Sequence, residues 1–207
     1  MKIKICGLTK ADEAEYLNEN NIEYAGFVFF EKSKRNVSFS QALEIMDKLT
    51  DDIKRVAVMV SPKLEFIRQL NELPFDIYQI HGELTDEVLK ACKRDVWRAM
   101  NIENSAEITA FLSSLPKECE RHIRGIVFDA PDFGSGKPFD WEGASRIESK
   151  LDIILAGGLN AENVQEGIRI FAPDVVDVSS SVEGMDGKDK DKIKKFADAV
   201  REAERYE

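Results

Sequence analysis

Along the chain, short runs of β-branched and aromatic residues alternate with longer stretches in which apolar residues return every three or four positions. The first pattern suits a strand buried on both faces and the second a helix laid against a sheet, so their alternation predicts βα units around a parallel sheet. Eight strands are predicted, at 2–6 (KIKIC), 24–28 (YAGFV), 54–60 (KRVAVMV), 76–80 (DIYQI), 95–99 (DVWRA), 124–129 (RGIVFD), 152–156 (DIILA) and 174–179 (DVVDVS). The clearest helix runs over 39–49, where Ala42, Leu43, Ile45, Met46 and Leu49 share a face behind Ser38 as its cap.

Spread over eight units, 207 residues give about 26 each, room for one strand, one helix and two short loops. That is the arithmetic of an α/β chain folded as one minimal (β/α)8 TIM barrel over residues 1–207. A doubly wound open sheet competes, but its usual strand count is lower, and the first turn here, Cys6-Gly7-Leu8-Thr9, carries no G-x-G-x-x-G. Gly134-Ser135-Gly136-Lys137 is not a Walker loop, because Pro131 stands where the first glycine belongs and Pro138 replaces the hydroxyl residue.

A barrel confines chemistry to the loops at the C-terminal ends of its strands. Alternation turns Lys4 and Cys6 inward and Ile3 and Ile5 outward, and it turns Val127 and Asp129 inward and Ile126 and Phe128 outward. Cys6 is thus either a small buried apolar residue or a thiol at a strand mouth, and Asp129 either caps a loop or supplies acid–base chemistry beside it. After strands 7 and 8 come Gly157-Gly158 and Ser179-Ser180-Ser181, either two ordinary turns or a phosphate cradle of backbone N–H groups beside a helix starting near Asn160. Arg35, in the cationic run Lys32-Ser33-Lys34-Arg35-Asn36, has the fork suited to a carboxylate. His81 either donates to a ligand or holds the loop after strand 4, and His122 belongs to the opposite end of the barrel.

Charge and cysteine content narrow the partners. With 29 Lys+Arg against 39 Asp+Glu the net charge is −10, which excludes a phosphate-tracking nucleic-acid surface. No apolar run approaches the ~18 residues of a membrane span, and Met1 to Ile5 is too short and charged for a secretory signal, so a cytoplasmic protein is expected. Cys6, Cys92 and Cys119 cannot all pair and lack a C-x-x-C spacing or a histidine cluster, which points away from disulfides and metal alike. The expected partner is a small phosphorylated molecule, with monomer and homodimer both open.

The motifs Lys4-Ile5-Cys6-Gly7-Leu8-Thr9, Gly26-Phe27-Val28-Phe29-Phe30, Ser33-Lys34-Arg35-Asn36-Val37-Ser38, Gln79-Ile80-His81-Gly82, Gly134-Ser135-Gly136-Lys137 with Phe139-Asp140-Trp141, Leu155-Ala156-Gly157-Gly158-Leu159 and Asp177-Val178-Ser179-Ser180 stand in this order. Together they resemble the phosphoribosylanthranilate isomerase family of tryptophan biosynthesis, over residues 2 to about 184. The resemblance implies a metal-free and cofactor-free Amadori rearrangement of N-(5-phosphoribosyl)anthranilate to 1-(2-carboxyphenylamino)-1-deoxyribulose 5-phosphate, the third step from chorismate. It also implies Cys6 as general base, Asp129 as general acid, Arg35 at the anthranilate carboxylate, and Gly157, Gly158, Ser179, Ser180 and Ser181 at the phosphate, with Asp177 near the substrate amino group. For those roles a thiol of ordinary pKa about 8.5 must be lowered, with Lys4 as the source, and a carboxyl of about 3.9 must be raised by burial.

One departure from the family pattern falls at Ser181, where glycine is usual; the expectation is an ordinary backbone conformation with the hydroxyl as an extra phosphate donor. The 130–137 loop is also short for a closing lid. The alternatives are a related phosphate-binding barrel, such as the histidine-pathway sugar-phosphate isomerase or indole-glycerol-phosphate synthase, or a non-catalytic sensor of a phosphorylated ligand.

Overall fold

The computed structural model describes residues 1–114, 122–130, 138–141, 145–147 and 149–204. Eight parallel strands close on themselves: β1 (Lys2–Cys6), β2 (Tyr24–Phe29), β3 (Lys54–Val60), β4 (Ile77–His81), β5 (Asp95–Asn101), β6 (Ile123–Asp129), β7 (Asp152–Leu155) and β8 (Val175–Val178). Neighbours in sequence are neighbours in the sheet, and β8 returns to pair with β1. Around them lie α1 (Glu13–Glu19), α2 (Phe39–Met46), α3 (Leu64–Leu70), α4 (Asp86–Ala91), α5 (Ala106–Ser114), α6 (Val164–Phe171) and α7 (Lys190–Glu204). The predicted (β/α)8 barrel is the observed fold.

Three local differences have physical reasons. Ser38 caps α2 as expected, its hydroxyl accepting from the Gln41 amide while the Gln41 side chain accepts from the Ser38 amide. The helix stops at Met46 rather than 49, because the Lys48 and Leu49 amides bond only three residues back, to Ile45 and Met46. Leu43, expected on the packed face, is 40% exposed. The second difference is at β4, which runs one residue later than predicted and so takes His81 into the strand. The third lies after β8, where a 3-10 turn, Ser180–Val182, leads into a hairpin of β9 (Glu183–Gly184) and β10 (Gly187–Lys188). Nothing in the hydrophobic pattern announces that hairpin, because strands of two residues carry no period.

Two apolar layers hold the barrel. Outside it, Ile3, Ile5, Phe27, Ile126 and Phe128 pack against the helices; inside it, Tyr24, Val56, Trp97, Val127, Ile154 and Val175 fill the axis. Trp97 is the largest of the inner set, and its ring lies 5.1 Å from that of Tyr24. The strand beside it must give way: a Cβ on Gly125 would fall 2.6 Å from Trp97 Cδ1 and 2.8 Å from Ile154 Cδ1. Overpacking of this kind costs about 1–3 kcal/mol. Gly125→Ala is therefore expected to lower the unfolding free energy by that amount, read as a lower urea midpoint with no change in slope; an unchanged midpoint would mean the axis accommodates a methyl group.

Candidate active site

The seam that closes the barrel sets the first contacts. Lys4 of β1 lies in register with Asp177 of β8, both side chains point to the axis, and Lys4 Nζ donates to Asp177 Oδ2 at 2.7 Å. Lys4 is fully buried. Burial opposes its charge, but Asp177 and then Cys6 beside it more than offset this, and its pKa is raised. Burial likewise pushes the Asp177 carboxyl up, against the pull of Lys4 and Lys188. Its second oxygen, Oδ1, is buried and accepts no hydrogen bond among the described residues.

Asp129 ends β6 on the same inward face. Burial lifts its pKa to about 7, the charge of Asp177 adds to this, and the Ala130 amide, donating to Oδ1 at 2.8 Å, and Lys4 oppose it. A large share of Asp129 is therefore protonated at neutral pH. For Cys6 the structure corrects the sequence expectation. Burial pushes the thiol above its ordinary value, and the pull of Lys4, opposed by Asp177 and supplemented by Lys188, does not reverse it. Burial is the dominant cause, and Asp177, which Lys4 also bonds, adds to it. Space for the sulfur comes from Gly26, where a Cβ would sit 3.0 Å from Sγ.

The glycine and serine loops form one rim. Gly157 and Gly158 have φ of 77° and 68°, and a Cβ on Gly157 would fall 2.3 Å from the Ala130 amide nitrogen, so both the conformation and the close approach require glycine there. Asn163, which precedes α6, donates from Nδ2 to the Gly158 carbonyl at 3.0 Å. Asn160, expected to open the helix, instead receives the Glu162 and Asn163 amides in the turn before it. Across the rim, Ser179 Oγ donates to the Cys6 carbonyl at 2.9 Å. Ser181 has no left-handed backbone, as expected, but its hydroxyl donates to the Leu159 carbonyl at 2.6 Å. It ties the two loops together rather than offering a free donor. The amides of Gly157, Gly158, Leu159, Ser179 and Ser180 make no backbone hydrogen bond among the described residues.

Arg35 crosses the mouth to a partner that sequence reasoning missed. Its Nε bonds Glu183 Oε1 in the hairpin after β8, Lys34 donates to Glu183 Oε2 at 2.8 Å, and Lys188 donates to Oε1 at 3.2 Å. Lys188 Nζ also donates to the Ser179 carbonyl at 3.0 Å. Neither Glu183 nor Lys188 lies on a predicted element. Gln79 was also missed, although alternation from His81 along β4 points it inward; the two Nε2 atoms are 2.9 Å apart. Burial, with Lys4 and Arg98 adding, takes His81 down to about 4, so the ring is neutral at physiological pH. Arg98 holds the turn after β4, donating to the carbonyls of Ile80 and Gly82.

These side chains surround a cavity of about 590 Å³, lined by Cys6, Arg35, His81, Asp129, Gly157, Gly158, Asp177, Ser179 and Ser180 together with Gln79. Lys4 and Ser181 support its wall without lining it. Cys119 and most of the expected lid, 131–137, lie outside the described residues, and His122 is exposed ahead of β6. Among the described residues no helix is long and apolar enough to cross a membrane.

The model for N-(5'-phosphoribosyl)anthranilate (PRA) isomerase matches residues 3–199. This chain belongs to that isomerase family. It is 38% identical to the N-(5'-phosphoribosyl)anthranilate isomerase of Clostridium kluyveri, over 97% of this chain and 98% of that protein, and 40% identical to that of a Thermoanaerobacter species with the same coverage. The crystal structure of phosphoribosyl anthranilate isomerase from Thermotoga maritima superposes with a TM-score of 0.85 at 32% identity, covering 98% of this chain and 99% of that one. A further isomerase structure, in complex with reduced 1-(o-carboxyphenylamino)-1-deoxyribulose 5-phosphate, has a TM-score of 0.80 at 29% identity, covering 98% and 99%.

The elevated Asp129 has a consequence for stability. An acid with a folded pKa of about 7 binds more protons than the unfolded chain, whose aspartate titrates near ~3.9, so stability falls as pH rises from about 4 to about 7. Asp129→Asn keeps an oxygen for the Ala130 amide and removes the titration. The variant is expected to match the parent near pH 4 and to exceed it at pH 8, by at most ~4 kcal/mol at ~1.4 kcal/mol per pH unit. Denaturant unfolding at both pH values checks this, and a variant equally stable relative to the parent at each would contradict the raised carboxyl.

Proposed function

We propose that the protein converts N-(5-phosphoribosyl)anthranilate to 1-(2-carboxyphenylamino)-1-deoxyribulose 5-phosphate, the third step from chorismate in tryptophan biosynthesis, as one catalytic domain over residues 1–207. The observation that carries the reading is a carboxyl held near pH 7 by burial, facing the same cavity as a thiol, a guanidinium and a rim of backbone amides. A ligand with a phosphate at one end and an aryl carboxylate at the other, such as the one bound to the relative, matches those groups. The phosphate fits the Gly157-Gly158 and Ser179-Ser180 amides, and the carboxylate fits Arg35.

In this reading Asp129, protonated at neutral pH, delivers its proton to the furanose ring oxygen. The C1–O bond breaks, the nitrogen lone pair forms the C=N bond, and a cationic Schiff base results. That positive charge acidifies the C2 proton and favours a thiolate beside it. The Cys6 thiolate takes the C2 proton to give an enolamine, which tautomerises to the ketone. The unbonded Oδ1 of Asp177 is an acceptor for the substrate N–H. His81, neutral throughout, adds no charge to the wall.

Positioned acids and bases are worth about 10²–10⁴-fold. Cys6→Ser and Asp129→Asn are each expected to lower kcat by that factor, read as the loss of substrate fluorescence in a coupled assay, with product affinity little changed. Turnover at the parental rate in either variant would remove that residue from the mechanism, and a rise in KM alone would make it a binding residue.

A further inference from the structure

The side chain of Glu183 is only 13% exposed, and Lys188, which bonds it from behind, is 1% exposed, so this carboxylate is fixed inside the wall of the mouth. Burial works against its charge, but bonds from Arg35 and Lys34 and the charge of Lys188 take it down to about 2. It therefore stays ionised. What it does to Arg35 follows from the shape of a guanidinium, which can meet a planar carboxylate along a side edge, using Nε and one terminal nitrogen, or end-on, using both terminal nitrogens. Glu183 bonds Nε and thereby closes the side edge. The stem is fixed as well: Gly7 has φ of 82°, and a Cβ there would fall 2.4 Å from Arg35 Cδ, so the side chain lies directly on that turn. One carboxylate set against Lys34, Arg35 and Lys188 leaves the cluster cationic, so orientation is gained without cancelling the attraction for an anion.

From this geometry we propose that Glu183 is a positioning residue that presents Arg35 end-on to the substrate, and that it thereby sets selectivity for a ring-borne carboxylate over the same ligand without one. The proposal rests on the assignment of Arg35 to the anthranilate carboxylate made above. It gives a function to the hairpin that follows β8. Lys188 belongs to the same device, holding Glu183 and the Ser179 carbonyl together, so that the carboxylate and phosphate ends of the mouth keep a fixed separation.

The test uses two probes, reduced 1-(o-carboxyphenylamino)-1-deoxyribulose 5-phosphate and its phenylamino counterpart lacking the carboxyl group, titrated against the parent, Glu183→Ala, Glu183→Gln and Arg35→Met. Glu183→Ala is expected to weaken the carboxylated probe about 10-fold, equivalent to ~1.4 kcal/mol, while leaving the other probe and inorganic phosphate unchanged. Glu183→Gln should recover part of the loss, because the amide oxygen still accepts from Nε. In turnover the loss should appear in KM more than in kcat. If Arg35→Met abolishes the preference and Glu183→Ala keeps it, the proposal fails and the Arg35 assignment stands. If Arg35→Met also keeps the preference, both fail. Equal weakening of both probes and of phosphate in Glu183→Ala would reduce Glu183 to general support of the rim and overturn the proposal.

Discussion

Barrel closure places Lys4 of β1 opposite Asp177 of β8 with both side chains turned to the axis, and the remaining electrostatics of the mouth are arranged around that pair. A buried ion pair is weak evidence for stability, since desolvation consumes most of the Coulombic gain, yet removing one partner leaves a bare buried charge at a cost of about 3–5 kcal/mol. The pair is held in place because its members cannot be lost singly. Its position carries the chemical meaning. Asp177 stands near Asp129 and raises it, while Lys4 stands near Cys6 and lowers it. Each charge reaches both groups: Lys4 also lowers Asp129, and Asp177 also raises Cys6.

The two effects are unequal. Asp129 is raised by burial and by Asp177 acting in the same direction, so it reaches about 7. In Cys6, burial and Lys4 act against each other and burial wins. The proposed acid is therefore well prepared at neutral pH, whereas the proposed base is mainly a thiol. A small thiolate fraction is compatible with catalysis, because a thiolate of higher pKa is a stronger base, and the cationic intermediate formed by ring opening supplies the charge that Lys4 alone does not.

The barrel was legible because strand alternation and the spacing of β-branched runs survive in a single sequence. Asp177 came only from the resemblance to the family, whereas Cys6 and Asp129 were legible for the same reason, each being an inward position at the end of a strand. Glu183 and Lys188 were not, since they lie on strands of two residues, and their importance comes from reaching Arg35 and Ser179 across the mouth. The sign of the Cys6 shift was equally hidden: the sequence places a lysine two residues away, but only the fold shows how deeply the thiol is buried and that Asp177 of β8 acts against the lysine. Ser181 illustrates the converse, a departure from the family pattern whose hydroxyl is absorbed by the Leu159 carbonyl and whose backbone needs no glycine.

The account requires Asp129 protonated and Cys6 ionised in the same molecule, with the acid titrating below the base. The pH dependence of kcat/KM tests this directly. With Asp129 near 7 and the thiol above its ordinary range, the fraction of molecules in the productive state rises tenfold per pH unit up to about pH 7 and is then level until the thiol ionises. In Asp129→Asn the residual activity should keep rising through pH 7 without that break. A parental profile that is level below pH 7 and declines above it would mean that Cys6 is already a thiolate in the acid range, contradicting the claim that burial at the seam governs both groups.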